Sequence, residues 1–119
     1  MQTVKYNEVR NSVLTDETVL IEFDALHKKE LMPGILLFDI PKNYIPTALT
    51  IMTNQVLTDF KIEDGEQTVI FSADNVDVGT TIIEAQTNKF DSSMPTLNVS
   101  YFSKSEFVDV DIIVECSRI

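Results

Sequence analysis

The chain has 119 residues, of which 19 are acidic and nine are Lys or Arg, and its formal net charge at pH 7 is −10. This length predicts a single domain over residues 1–119, because two domains of half this size would not each bury a core. The acidic balance excludes a surface that follows a nucleic-acid backbone, since no basic run exceeds Lys28-Lys29. No signal peptide is expected, because the first residues lack a basic segment followed by an apolar one, and the longest apolar run, residues 35–38, is too short to span a bilayer.

The composition favours β-strands over helices. Valine, isoleucine and threonine make up 36 of the 119 residues, whereas alanine occurs four times. Side chains branched at Cβ fit a pleated sheet and lose rotamer freedom in a helix. We therefore expect an all-β fold.

Two strands and one short helix are predicted in the first third of the chain. Val19, Ile21 and Phe23 fall on one side of a half-buried strand. Residues 24–31 are the one candidate helix, of one or two turns, closed by Pro33-Gly34. Residues 35–40 are apolar except for Asp39, and this nearly continuous pattern predicts a central strand.

A hairpin is predicted between residues 56 and 73. Two strand-like runs flank Asp64-Gly65, and this pair is typical of a type I′ turn, in which both central residues have positive φ. The second run, residues 67–73, is apolar enough for a central strand. Farther along, Leu97 and Val99 share one side of a strand over residues 96–103.

The last strand has the clearest alternation. One set of alternate positions is apolar throughout: Val108, Val110, Ile112, Val114 and Cys116. The positions between them are mostly acidic, which predicts a sheet packed on one face only. Phe107 and Ile113 are the large apolar residues on this otherwise wet face. We predict that they form a subunit contact, with cover from the same chain as the alternative.

Turn signals at residues 32–34, 41–46, 74–79 and 88–95 divide the chain into about eight or nine strands. This spacing predicts an antiparallel β-sandwich of jelly-roll or immunoglobulin-like topology.

Few residues offer nucleophilic, phosphate-binding or zinc chemistry. His27, the single imidazole, is predicted at the surface, because no nucleophile motif surrounds any serine. Cys116 is predicted to be buried and unreactive, because the alternation points it into the core. The three glycines stand apart, so no phosphate-binding loop is present, and one cysteine and one histidine do not make a zinc site.

Carboxylates are the abundant functional groups. Residues 74–77 are the most oxygen-rich segment and are predicted to form an ordinary turn, not a calcium loop. Asp109 and Asp111 lie about 7 Å apart along one strand face and are predicted to be solvated. A glycosidase-like carboxyl pair or protection of an edge strand are the alternatives. We therefore expect a non-enzymatic protein with no catalytic residues, no cofactor and no metal ligands.

Residues 36–54 resemble a segment of small β-sandwich structural proteins from tailed-bacteriophage particles. In that family a strand ending in Ile-Pro, here Ile40-Pro41, leads through a short loop into an alternating strand that ends near a Thr-rich turn. Residues 67–73 and 95–102 are similar to the closing strands of that family. Asn54-Gln55-Val56 departs from it, because such proteins often have an aromatic residue and a glycine-containing loop there.

The resemblance implies a structural component of the virion, as a capsid decoration, head-fibre, collar or tail-attached protein. It implies other virion proteins as partners and a homo-oligomer, with a trimer preferred, made in the host cytoplasm and carried in the virion. No nucleic-acid or membrane partner is expected. The alternative is a ligand- or glycan-binding sandwich module, and a small hydrolase is disfavoured by the single histidine.

Overall fold

A computed structural model describes residues 10–11 and 18–119, and most of these residues lie in β-strands. The strands are β1 Arg10–Asn11, β2 Thr18–Leu26, β3 Glu30–Asp39, β4 Tyr44–Thr53, β5 Leu57–Asp64, β6 Val69–Val76, β7 Gly79–Glu84, β8 Thr96–Ser103 and β9 Val110–Arg118. A three-residue 3-10 helix, Thr87–Lys89, follows β7. In this described part of the chain, no helix is long and apolar enough to cross a membrane.

The strands form two antiparallel sheets that pack face to face. The first sheet has the order β1-β2-β9-β4-β7, and the second has the order β3-β8-β5-β6. From β2 to β9 the chain changes sheet at every connection except the β5–β6 hairpin. This order is that of an eight-stranded jelly roll, with β1 as a two-residue addition. The predicted all-β antiparallel sandwich is confirmed, and the topology is the jelly-roll alternative.

The core lies between the inner faces of the two sheets. The alternation predicted for the last strand is confirmed, since Val110, Ile112, Val114 and Cys116 are completely buried. Phe23 of the first sheet meets Phe38 of the second edge to face, with ring centroids 5.1 Å apart. Buried residues of both sheets form one cluster. The single-domain assignment of residues 1–119 stays a prediction, because it includes residues outside the described part.

The short helix predicted over residues 24–31 is wrong. β2 continues to Leu26, which is opposite Val110 in the ladder, and β3 begins at Glu30. Leu31 is opposite Tyr101, and Leu26 and Leu31 are both buried. A helix of eight residues is marginal by itself, so ladder hydrogen bonds and burial of two leucines outweigh the local preference.

The predicted hairpin between β5 and β6 is present, but the type I′ turn is wrong. The positive φ, 66°, is at Gln67 and not at Asp64 or Gly65. Gln67 N donates to Asp64 O at 3.0 Å, so Gly65 and Glu66 are the central residues of the turn. Asp64 Oδ1 also accepts the N–H groups of Glu66 and Thr68, at 2.8 and 3.0 Å. These bonds favour a type I turn followed by a left-handed residue.

The two apolar runs predicted as central strands lie instead in the edge strands β3 and β6 of the second sheet. In β6, Ile70 and Phe71 are consecutive and both completely buried. The chain after β7 runs beside them, where Gln86 N donates to Ile70 O at 2.9 Å. In β3, Leu37 is 36% exposed on the outer face. The apolar residues of β6 are therefore covered by a crossing segment, and those of β3 are partly exposed. Neither run needs a neighbouring strand on both sides.

Candidate functional site

Four loops meet at one end of the sandwich, at residues 27–29, 54–56, 77–78 and 104–109. Tyr101 Oη donates to Lys28 O at 2.8 Å, which ties the first loop to β8. Asn54 Nδ2 donates to Phe107 O at 3.0 Å, and Asp109 N donates to Asn54 Oδ1 at 2.7 Å. One amide side chain therefore holds the second and fourth loops together. This loop end presents Phe107 with 83% of its surface exposed.

A cleft of about 530 Å³ opens at the loop end. Its lining residues are Gln55, Val56, Thr58, Asn75, Val78, Ser103, Lys104 and Ser105. The lining supplies amides, hydroxyls and one ammonium group, together with two exposed valines. These groups can hydrogen-bond a small polar ligand. The lining contains neither an aromatic ring for stacking on a sugar nor a carboxylate or imidazole for acid–base catalysis.

His27 lies on the surface of the loop end, as predicted. Its Nδ1 is 3.4 Å from Val108 O and 3.9 Å from Asp109 Oδ1, and the His27 and Asp109 side chains are 70% and 55% exposed. An ion pair this exposed contributes little to stability, and only when the imidazole is protonated. The position links the β2–β3 loop to the loop that precedes β9, and no hydroxyl or thiol of the described residues is recorded in a hydrogen bond with the imidazole.

Cys116 is completely buried on the inner face of β9, as predicted. Burial, assisted by the nearby Glu115 carboxylate, raises the pKa of the Cys116 thiol to about 12. The thiolate is the nucleophilic form, so the folded protein keeps this group unreactive at neutral pH.

Asp109 and Asp111 line a shallow hollow of about 330 Å³ between the starts of β7 and β9. The alternative that they protect an edge strand is wrong, because β9 lies between β2 and β4. The turn predicted at residues 74–77 is also wrong in part, since β6 extends to Val76. Across the described residues, no three His, Cys, Asp or Glu side chains come together as a metal site.

The structure places the predicted contact residues in different settings. Phe107 belongs to the loop end and not to the last strand, which begins at Val110. Ile113 lies in the middle of β9 on the outer face of the first sheet and is half-buried by its neighbours. Its ladder partners are Glu22 of β2 and Thr50 of β4. Neither residue is covered by the second sheet, so their role as a subunit contact stays a prediction.

β7 and its exposed Ile82 were not predicted from the sequence. Ile82 is opposite Thr50 and 70% exposed, so it continues the cross-strand row that contains Ile113. The run Thr80-Thr81-Ile82-Ile83 consists of four consecutive β-branched residues, and this was the available signal for a strand. The outer face of the first sheet therefore carries Ile113 and Ile82 in one cross-strand row, separated by Thr50, and this row ends at the edge strand β7.

No protein-family model matches the sequence, and no curated protein matches it. Among solved structures, the fold is similar to that of a chain in the cyanophage Pam1 capsid asymmetric unit, with a TM-score of 0.51 and 8% sequence identity. The match covers 96% of this chain and 86% of that chain. At this identity the likeness shows a shared fold.

Proposed function

We propose that this protein is a non-enzymatic structural component of a bacteriophage particle that acts through protein–protein assembly. The observation that carries the proposal is the likeness to a chain of a cyanophage capsid over nearly the whole of both chains. Because the match takes in 86% of that chain, the neighbour is also a small protein and not a large one with a single similar domain. A small jelly-roll protein is suited to attach to a larger shell or tube. We therefore propose a decoration, head-fibre, collar or tail-attached protein.

The charge and the exposed apolar residues support a role in assembly. A net charge of −10 disfavours the inner wall around packaged DNA and favours an outward position. Exposed apolar side chains occur at Phe107 on the loop end and at Ile82 on the first sheet. Two such surfaces allow one contact with other virion proteins and another with copies of the same chain. The protein is then made in the host cytoplasm and carried in the virion as a homo-oligomer.

Mass spectrometry of purified particles tests this proposal. Particles of the phage that encodes the chain are banded on a density gradient, and the copy number is compared with that of the major capsid protein. We expect a fixed ratio in every particle fraction. Absence from particles, with the protein present in the infected-cell lysate, would contradict the proposal.

The cleft at the loop end favours one second candidate, a ligand- or glycan-binding module. Its volume of about 530 Å³ suits a small polar ligand. The test is binding to a glycan array, with Lys104→Ala as the variant that removes the single cation of the lining. Saturable binding that Lys104→Ala weakens would support this function, whereas no binding would leave the assembly role alone.

A further inference from the structure

β7 is a regular, exposed edge strand of the first sheet. Its six residues pair with β4 in unbroken register, and within residues 10–11 and 18–119 no strand pairs with its other side. Natural edges are normally protected by proline, lysine, a bulge or a very short length. β7 has the sequence Gly-Thr-Thr-Ile-Ile-Glu, with no proline, lysine or bulge, and its one charged residue, Glu84, lies at the end of the strand.

The other edges of the described sandwich are better protected. β3 contains Pro33, shifts register between Leu31 and Leu36, and has Gly34 at a φ of 88°. β6 carries Asp74, and Ile70 already accepts a hydrogen bond from the chain after β7. β1 has only two residues. β7 is therefore the edge most open to another strand.

The direction of the free backbone groups follows from one hydrogen bond. Ala85 N donates to Thr47 O at 3.0 Å, and these two residues are opposite each other because Ala48 is opposite Glu84. Hydrogen-bonded and non-hydrogen-bonded pairs alternate along an antiparallel ladder. Ile83 and Thr81 consequently point their N–H and C=O groups toward β4. Thr80, Ile82 and Glu84 point theirs toward the open edge.

We propose that β7 pairs antiparallel with β7 of a second copy about a two-fold axis at Ile82. In this register Ile82 is opposite Ile82 of the second copy, and Thr80 is opposite Glu84 in both directions. The three pairs exchange two hydrogen bonds each, so all the outward N–H and C=O groups of the strand are used.

The arrangement is self-complementary in charge and in shape. Each Glu84 meets a neutral threonine and not another carboxylate, and the two Ile82 side chains cover each other. Sliding the register by two residues in either direction leaves an outward residue of β7 without a partner in the other β7. Ile113 lies in the same cross-strand row beyond Thr50, about 10 Å from Ile82 at two strand spacings, so a predicted contact residue lies near the proposed interface. Such an edge contact is two-fold, so a trimer would need another surface.

Disulfide cross-linking tests the register directly. Ile82→Cys is expected to give a covalent dimer on mild oxidation, because the two substituted residues are paired, about 5.5 Å apart at Cα. Thr80→Cys is the matched control: its two copies lie four residues apart, about 13 Å, beyond disulfide reach. The double variant Thr80→Cys with Glu84→Cys is expected to cross-link. Cys116 does not interfere, because it is completely buried.

Light scattering tests the dimer itself. The unaltered protein is expected to reach twice the chain mass of 13.5 kDa as its concentration rises. Salt should promote this step, since both copies carry a charge of −10. Ile82→Pro removes an outward N–H and leaves the bonds to β4, so it should stay monomeric with an unchanged β spectrum. Ile82→Ala keeps the N–H and should still dimerise, although more weakly.

The proposal is overturned if the unaltered protein is monomeric at every concentration, if Ile82→Pro dimerises as well as the unaltered protein, or if a dimer forms in which Ile82→Cys does not cross-link. The last result would mean that the dimer forms through another surface or in another register. None of these results depends on whether the protein occurs in virions, so this inference and the proposed function can fail separately.

Discussion

Replacing Ile112 with alanine is expected to destabilise the protein far more than the same replacement at the adjacent Ile113. Ile112 is completely buried on the inner face of β9, opposite Phe23 of β2 and Ile51 of β4. Removing a buried isoleucine side chain to alanine lowers the free energy of unfolding by about 4 kcal/mol, through lost burial and the cavity left behind. Ile113 is half-buried on the outer face, where the loss of strand preference and partial burial is about 1 kcal/mol.

Urea denaturation followed by far-ultraviolet circular dichroism measures this difference. With a slope of about 1.5 kcal/mol per molar urea, the Ile112→Ala midpoint should fall by roughly 2.5 M and the Ile113→Ala midpoint by less than about 1 M. Repeating the titration at a higher protein concentration separates any subunit contact of Ile113 from its effect on folding. Equal losses for the two variants would contradict the predicted difference, and a larger loss for Ile113→Ala would show that the assignment of the two faces of β9 is reversed.

Three further outcomes are expected. Val110→Asp should prevent folding, since it buries an unpaired charge, whereas Asp109→Asn should leave the thermal midpoint within a few degrees. Circular dichroism of both variants measures this, and a greater loss of stability in Asp109→Asn than in Val110→Asp would contradict the prediction. Gln67→Gly should raise the free energy of unfolding by roughly 0.5 kcal/mol, because glycine adopts the φ of 66° without strain, and a lower urea midpoint would argue against the left-handed turn residue. The pKa of Cys116 rises from 9.0 to about 12 on folding, so the unfolded state loses this proton first and stability should fall as pH rises above about 9. Unfolding titrations at stepped pH should show a shallower fall in Cys116→Ala, and an unchanged fall would exclude this cause.

The strands with strict alternation were predictable because their pattern has a local cause. Along residues 108–116 the side chains alternate between two faces, so the apolar set identifies the inner face without knowledge of any neighbour. The jelly-roll or immunoglobulin-like sandwich followed from the number and spacing of such strands. The helix predicted over residues 24–31 failed because its alternative, two strands meeting at a three-residue loop, depends on Val110 and Tyr101 far along the chain.

The candidate surfaces were only partly predictable. Phe107 and Ile113 were identified as apolar residues among acidic ones, but their separation into a loop and a sheet face depends on where β9 begins. Ile82 was not predicted as a surface residue of a strand, because β7 begins at Gly79, inside the segment of residues 74–79 that was predicted as a turn. The cleft at the loop end joins residues from β5, β6, β8 and three connecting segments, and no local pattern brings these together.

The all-β class, the inner face of the last strand and the burial of Cys116 follow from local information, because each depends on composition or on a two-residue period. Which strands are central and which are edges depends on the packing of the whole chain. The mostly apolar runs of β3 and β6 suggested central strands, yet both lie at edges, and in β6 a crossing segment supplies part of the burial. The position of β7 at an open edge likewise depends on how the whole chain packs. The backbone groups that face the open edge belong to Thr80, Ile82 and Glu84 because of the register between β7 and β4. This register is a long-range property that the sequence of β7 alone does not specify.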